Sequence, residues 1–240
     1  MTANADDDAV RDGPDLRLKR EVSLLREQLT AALRTAILQG DHAPGQKLSE
    51  RVLCERYDVS RSLLRETLQQ LAAEALVELV PHRGPHVATI TERDARDIYA
   101  VRRVLEGLVA AAFAQHADEA DRARLARVAD DIAALGEGDS PSRLLQAKNA
   151  FYAVLVEGAG NRVAAQLLTQ LNNRITLLRR LSLSRSGRLA ETKAEITAIV
   201  EALVRRDGDE ARRLTERHVD RAAASAALAM AGEPARSDAS

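Results

Sequence analysis

The stretch Asp58-Val-Ser-Arg-Ser-Leu-Leu-Arg-Glu-Thr-Leu68, with Leu76-Val-Glu-Leu-Val-Pro-His-Arg-Gly-Pro-His-Val-Ala-Thr-Ile90 close behind it, decides how the chain is read. In the first, Ser60 is placed to cap a helix that runs to about Glu74 and buries Leu64, Leu68, Leu71 and Ala72. Opposite those leucines, Arg61, Arg65 and Gln69 share one face, with Ser62 beside them near the N-terminal end. In the second, two short β-prone runs flank His82-Arg83-Gly84, the pattern of a hairpin with a glycine at its turn. Upstream, Ser49 is placed to cap a short helix through about Tyr57, with Val52, Leu53 and Tyr57 inward, and Asp58 can take the left-handed turn that follows. Before it, Leu25, Leu29, Ala32, Leu33, Ala36 and Ile37 recur at helical spacing over 22–39, until Gly40 ends the run and Pro44-Gly45 turns the chain.

Two helices joined by a tight turn, followed by a hairpin, make a winged helix-turn-helix, expected over 17–90. Guanidinium forks match guanine O6 and N7 or phosphate oxygens, and a short hydroxyl at a helix N-terminus reaches phosphates or base edges. Taken alone, an Arg-x-x-x-Arg pair more often marks a solvated helix face. The hairpin tips the balance, because Gly84 lets backbone approach a groove and Arg83 at the tip can enter a minor groove or hold phosphate.

The rest of the chain is written for helices. Aromatic residues are only 2% and Trp is absent, so the cores must be aliphatic. From Thr91 onward helical periodicity is continuous, and breaks near 116–118, 136–141, 158–160, 184–187 and 207–209 delimit six helices, an antiparallel all-α bundle over 91–230. The expected apolar stripes include Ile98, Val101, Leu105 and Leu108 on the first of these, and Leu167, Leu171, Ile175 and Leu178 on the fourth. Residues 1–16, with five Asp against one Arg, read as a disordered leader, and 231–240 as a disordered tail. A formal charge of −1 gives no global sign of nucleic-acid binding, so that argument rests on where the arginines sit. No membrane span or export signal is legible, which points to the cytoplasm, and the single Cys54 falls at an apolar helix position and reads as core.

The phrases Leu-Arg-Thr-Ala-Ile-Leu-Gln-Gly-Asp-His-Ala-Pro-Gly-Gln-Lys-Leu-Ser-Glu, Asp-Val-Ser-Arg-Ser-Leu-Leu-Arg-Glu-Thr-Leu and Glu-Ala-Leu-Val-Glu-Leu-Val-Pro-His-Arg-Gly resemble the winged helix of the GntR family of bacterial regulators. The resemblance implies DNA contact by Arg51, by Ser60, Arg61, Ser62 and Arg65, and by Gly84 in the wing. Three positions depart from that family's pattern: Asp58 where Gly is usual, Leu63 where Pro or Thr is, and Ala75 where Gly ends the turn after the recognition helix. A positive φ at Ala75 would cost ~1 kcal/mol, so the helix is expected to end differently there.

Ile-Tyr-Ala-Val-Arg-Arg-Val-Leu-Glu, Asn-Ala-Phe-Tyr-Ala-Val-Leu-Val-Glu-Gly-Ala-Gly-Asn and Ile-Val-Glu-Ala-Leu-Val-Arg-Arg-Asp-Gly-Asp-Glu-Ala resemble the FCD ligand-binding domain of the FadR branch, and six helices resemble its VanR-type subgroup. Many such domains bind a divalent metal through an Asp, a His four residues later, and two further His. Here Lys148, Tyr152 and Ile196 take three of those positions and only His218 remains, so the resemblance implies neither a metal site nor a cofactor. It also places Arg102 on the pocket side, so that Arg102, Lys148 and Tyr152 would suit a carboxylate or other anion. The alternative leaves Lys148 in solvent and pairs Arg102 with Glu106 at i+4, and His218 is either a pocket lining or a solvated helix residue.

The expected function is a ligand-responsive DNA-binding regulator, a repressor, that binds a palindromic operator as a homodimer and is released by a small organic-acid effector. A constitutive DNA-binding dimer and a TetR-like regulator are the competing readings. No catalytic residue is expected, since the chain shows no phosphate loop, nucleophile elbow, H-E-x-x-H or Cys/His nucleophile pattern.

Overall fold

In a computed structural model of the chain, residues 20–136, 139 and 141–232 are described; the expected leader and all but the first two residues of the expected tail lie outside them. Among the described residues the order is α1 (Arg20–Gln39), α2 (Glu50–Tyr57), α3 (Arg61–Ala73), β1 (Val77–Val80), β2 (Gly84–Val87), then six helices: α4 (Glu92–His116), α5 (Glu119–Ala134), α6 (Pro141–Gly158), α7 (Arg162–Leu183), α8 (Arg188–Val204) and α9 (Gly208–Gly232). This is a winged helix-turn-helix followed by a helical bundle.

Local chemistry sets the boundaries. The Ser60 hydroxyl accepts from the Leu63 N–H and starts α3, whereas Ser49 flanks α2 without a side-chain cap, contrary to expectation. Thr91 and Asp94 form a reciprocal capping box on α4, Asp118 caps α5 and Asn161 caps α7. Asp58 takes the left-handed turn between α2 and α3. Ala75 also adopts positive φ, 55°, so the turn after α3 keeps the geometry that suits glycine, and the expectation of a different ending is corrected. The cause is tertiary. The Leu76 N–H donates to the Leu71 carbonyl and the Ala88 N–H to the Leu76 carbonyl, which closes the turn onto β2.

The wing pairs β1 with β2 antiparallel, Val77 opposite Val87 and Val80 opposite Gly84. Its other edge is also paired: the Leu48 N–H donates to the Pro85 carbonyl and the Val87 N–H to the Gln46 carbonyl, an isolated antiparallel bridge that sets Lys47 opposite His86. Beneath it, Leu29, Leu33, Ile37, Leu48, Leu53, Leu64, Leu68, Leu71 and Leu76 form the winged-helix core. Leu63 is buried there too, while Val52, Leu25 and Ala32 are exposed and Cys54 is half-buried against the core.

The bundle has its own core, in which α4 packs along α9 and around Phe113, Phe151, Leu155, Leu178 and Ile199. Its buried stripes differ from those expected. On α4 the inward face is Ile98, Tyr99, Arg102, Glu106, Val109 and Phe113, so Val101 and Leu108 face out, and on α7 Leu167 is exposed. Helix α7 serves both cores. Leu177 closes the winged-helix core, and Asn173 donates to Glu74 (3.0 Å), which also takes both hydrogen bonds of Arg34 (2.7 and 2.6 Å). A Cβ at Gly40 would stand 2.2 Å from the Arg180 guanidinium, so α1 ends against α7 with no side chain between them.

Two outcomes are expected. Ala75→Gly should stabilise the protein by about 0.5–1 kcal/mol, because it removes a strained left-handed alanine, read as a rise in urea midpoint. Hydrogen bonding to Arg34 lowers the Glu74 pKa against the opposing effect of burial. A carboxylate lowered in the folded state contributes stability above its unfolded pKa and loses it as pH falls through the folded one. Glu74→Gln should therefore be destabilising near neutral pH, with the difference from the natural protein shrinking as the solution is acidified below about pH 4; a pH-independent difference would contradict this.

Candidate functional site

None of the residues expected at DNA is buried in the winged helix. Arg61, Ser62 and Arg65 are exposed on α3, Arg51 on α2, and Arg83 at the wing tip, next to Gly84 with its φ of 86°. Ser60 opens α3, and its hydroxyl is engaged as the cap by the Leu63 N–H. Two of the arginines are held: Arg65 Nε lies 3.0 Å from Glu50 across the helix-turn-helix, and Arg51 Nη1 lies 2.8 Å from Glu55 one turn along α2. The arginine side chains of both pairs are exposed, and ion pairs of this kind cost little to break. Arg61 and Arg83 have no ion-pair partner among the described residues. Glu50 is invisible as a holder before the turn is folded, because it lies fifteen residues from Arg65, whereas Glu55 stands at i+4 from Arg51 and its pairing follows from helical spacing alone. Leu63, a departure from the family pattern, points into the core and leaves the arginine face unaltered.

The second candidate site is a polar cluster inside the bundle. Arg102, at 0% exposure, donates to Glu106 on the same helix (2.9 and 3.4 Å), as one of the two readings of Arg102 expects. Burial opposes the Arg102 charge, but Glu106 outweighs it and its pKa is raised; burial likewise opposes the Glu106 carboxylate, and Arg102 and Arg179 hold it ionised. Lys148, at 1% exposure, is inside and not in solvent. Its Nζ lies 3.3 Å from His218 Nε2, and His218 Nδ1 lies 2.5 Å from Glu195 Oε2. Glu195 in turn takes two hydrogen bonds from Arg188 (2.8 and 2.7 Å) and one from Arg221 at the rim (3.1 Å). Tyr152 lies between the two halves, with the Arg179 guanidinium 4.1 Å from its ring centre and His218 6.5 Å away, and Arg179 reaches Asn149 (2.8 Å) and Glu106 (3.5 Å).

Thus Arg102, Lys148, Tyr152 and His218, drawn from α4, α6 and α9, do meet in one place. The sequence reading missed Arg179 on α7 and Arg188 and Glu195 on α8. A signal existed: Arg179 follows Ile175 by four residues and Glu195 precedes Ile199 by four, so charges fall on apolar stripes.

Buried side chains in the cluster include four basic groups, Arg102, Lys148, Arg179 and Arg188, against two carboxylates, Glu106 and Glu195. That surplus is felt locally. Burial, then Arg179, Arg102 and Arg188, push Lys148 well below the usual lysine range; burial and Arg102 lower Arg179 to about 10; burial and Lys148 lower His218 to about 4. The imidazole is therefore neutral near pH 7, and with Glu195 accepting from Nδ1, its Nε2 lone pair faces Lys148. Burial raises Tyr152, whose hydroxyl stays protonated. Several donors are buried without a partner, among them Arg102 Nη1, Arg179 Nε, Arg188 Nε and the Tyr152 hydroxyl. A metal does not fit these residues. The one imidazole lone pair is taken by an amine, and among the described residues no three His, Cys, Asp or Glu side chains group as a metal site.

Comparisons with known proteins bear on both halves of the chain. The description "Bacterial regulatory proteins, gntR family" matches residues 25–87 and "FCD domain" matches residues 97–221. The chain is similar to the HTH-type transcriptional repressor GlaR of Escherichia coli K12, 30% identical over 78% of this chain and 89% of that protein, and to the galactonate operon transcriptional repressor of the same organism, 28% identical over 77% and 89%. In fold it is similar to E. coli McbR/YncC, with a TM-score of 0.73 at 18% identity, covering 86% of this chain and 97% of that one. No helix among the described residues is long and apolar enough to cross a membrane. With a family model over more than half its length and both halves of the architecture in place, the chain belongs to the GntR family of bacterial transcription regulators, its winged helix followed by an FCD domain.

Proposed function

We propose that this protein is a ligand-responsive repressor of the VanR-like six-helix subgroup, which binds a two-fold symmetric operator as a homodimer and is released by a small organic anion taken up directly by the bundle. In this reading residues 17–90 read DNA and 91–230 bind effector and dimerise. The observation that carries it is the set of buried guanidinium N–H donors that lack acceptors, at Arg102, Arg179 and Arg188, around the Tyr152 side chain. A carboxylate supplies the missing acceptors. Dimerisation is supported by the outward stripe Val101, Val104 and Leu108 on α4, with Val104 60% exposed, an apolar face that a second copy would cover. Repression and an acid effector are supported by similarity to a repressor named for the galactonate operon. The hairpin wing, absent from a TetR-like design, sets that alternative aside.

For DNA, Arg61→Ala should weaken specific operator binding by about 1–3 kcal/mol with folding intact if its guanidinium reads a base. Arg65→Ala should do the same and also free Glu50, whose negative charge then faces the groove. Unchanged affinity of both variants in an anisotropy titration would remove the assignment.

For the effector, Tyr152→Phe removes a buried hydroxyl that makes no close hydrogen bond and has only the Glu106 carboxylate in its vicinity, so it should change thermal stability little. The same variant should weaken the effector's action on operator binding by about tenfold, the worth of one good hydrogen bond. If no small carboxylate alters operator affinity of the natural protein, the constitutive-dimer reading replaces this one.

A further inference from the structure

Lys148, His218 and Glu195 line up in an order that anion binding alone does not require. An amine sits 3.3 Å from an imidazole Nε2, and the opposite ring nitrogen is 2.5 Å from a carboxylate that Arg188 holds with two hydrogen bonds. Nucleophile, base and orienting carboxylate in series are the arrangement that activates a weak nucleophile. All three side chains are buried, so the amine is reached only by what enters the bundle.

The choice of residue is informative. The chain has four lysines, Lys19, Lys47, Lys148 and Lys193, and all its other permanently cationic side chains are arginine. An anion is held best by a guanidinium, which stays charged and forks onto a carboxylate. Yet the position between three buried arginines is a lysine, the one basic side chain that can give up its proton there and present a lone pair. The surrounding charges act in that direction: burial and the neighbouring Arg179, Arg102 and Arg188 all disfavour the ammonium form.

We infer that the effector is a small 2-oxo acid, bound reversibly as an imine between its carbonyl carbon and Lys148 Nζ, with its carboxylate on the open N–H donors of Arg102 and Arg179. The assignment rests on reading this cluster as the effector site. The nitrogen lone pair adds to the carbonyl carbon, and the π electrons move to the oxygen. His218 Nε2 takes a proton from the nitrogen and returns it to that oxygen, giving a neutral carbinolamine. The C–O bond then breaks, the second amine proton leaves with the oxygen as water, and a C=N bond remains. Nothing is oxidised or reduced, and hydrolysis restores the free amine. The Tyr152 hydroxyl, protonated and unpartnered, donates to the oxygen that carries charge during addition.

The test uses the full-length protein with pyruvate, glyoxylate or 2-oxoglutarate as probe, each with sodium cyanoborohydride to fix any imine, followed by intact mass and peptide mapping. The expected result is one adduct per chain, of the acid's mass less one oxygen atom, on Lys148, with Lys47 and Lys193 unmodified at the same probe concentration. Lys148→Met and Lys148→Arg should show no such adduct, and His218→Gln should form it about a hundredfold more slowly, the worth of a positioned general base. Lactate, which has a carboxylate and no carbonyl, should leave the mass unchanged. No Lys148 adduct with any of the three probes, while lactate or an oxo acid still raises the melting temperature, overturns the imine and leaves the anion site standing. No adduct and no melting shift with any acid overturns both. Because the map is made on the natural protein, the outcome stands even where a variant fails to fold.

Discussion

A guanidinium stays protonated in a folded protein, so placing Arg102 at the centre of an aliphatic bundle obliges the chain to bring it a carboxylate and to satisfy what that carboxylate then attracts. Glu106, one turn away, answers the first demand and draws in Arg179 from α7. The same logic runs on the other side, where Arg188 and Glu195 of α8 engage His218 of α9, and His218 engages Lys148 of α6. Five of the six bundle helices thus place a charged or titratable group at one locus. An apolar stripe tolerates a slip of its helix by trading one leucine for another. A buried charge does not, because a slip leaves it unpaired at a cost of several kcal/mol. The cluster fixes the register of the bundle while leaving its own positive charge incompletely balanced.

That imbalance shares a helix with the winged module. Along α7, Ile175, Leu178 and Arg179 face the bundle, while Asn173 and Leu177 face α1 and α3 and Arg180 lies against Gly40. A guest that moves Arg179 moves a rigid element whose other face is part of the DNA-binding module's core. Coupling of this kind needs no separate relay, only differing affinity of the guest for the two placements of one helix.

Much of the architecture was legible because it depends on local signals. Gly40, Ser60, Asp58, Thr91 and the breaks between the bundle helices are caps and turns whose chemistry acts within a few residues. The arginine face of α3 was legible for the same reason. What the sequence concealed was tertiary. Val101 and Leu108 look like core by spacing and lie outside, because Arg102 and Glu106 pair with each other at the inward positions and Glu106 is also engaged by Arg179 of α7, 77 residues downstream of Arg102. Charged residues are read as surface unless their burial is satisfied, and part of what satisfies these comes from another helix. Ala75 was misjudged in the other direction. Its local strain is real, and the pairing of Leu76 with Leu71 and Ala88 overrides it.

The tight seat of Gly40 against Arg180 bears on how such regulators could be recombined. By sequence, the natural place to cut and graft is the short link before Thr91, where one module ends and the next is capped. By packing, the DNA-binding module's core is finished by Leu177, its Glu74 is held by Asn173, and the end of its first helix receives the Arg180 guanidinium over the bare backbone of Gly40. A chimera joined at the link would carry an open core and an unheld Glu74, unless the matching residues of the foreign bundle's fourth helix were exchanged as well. The working seam between the two halves runs along one face of α7, and lineages that shuffled these modules would be expected to carry that face along with the winged helix.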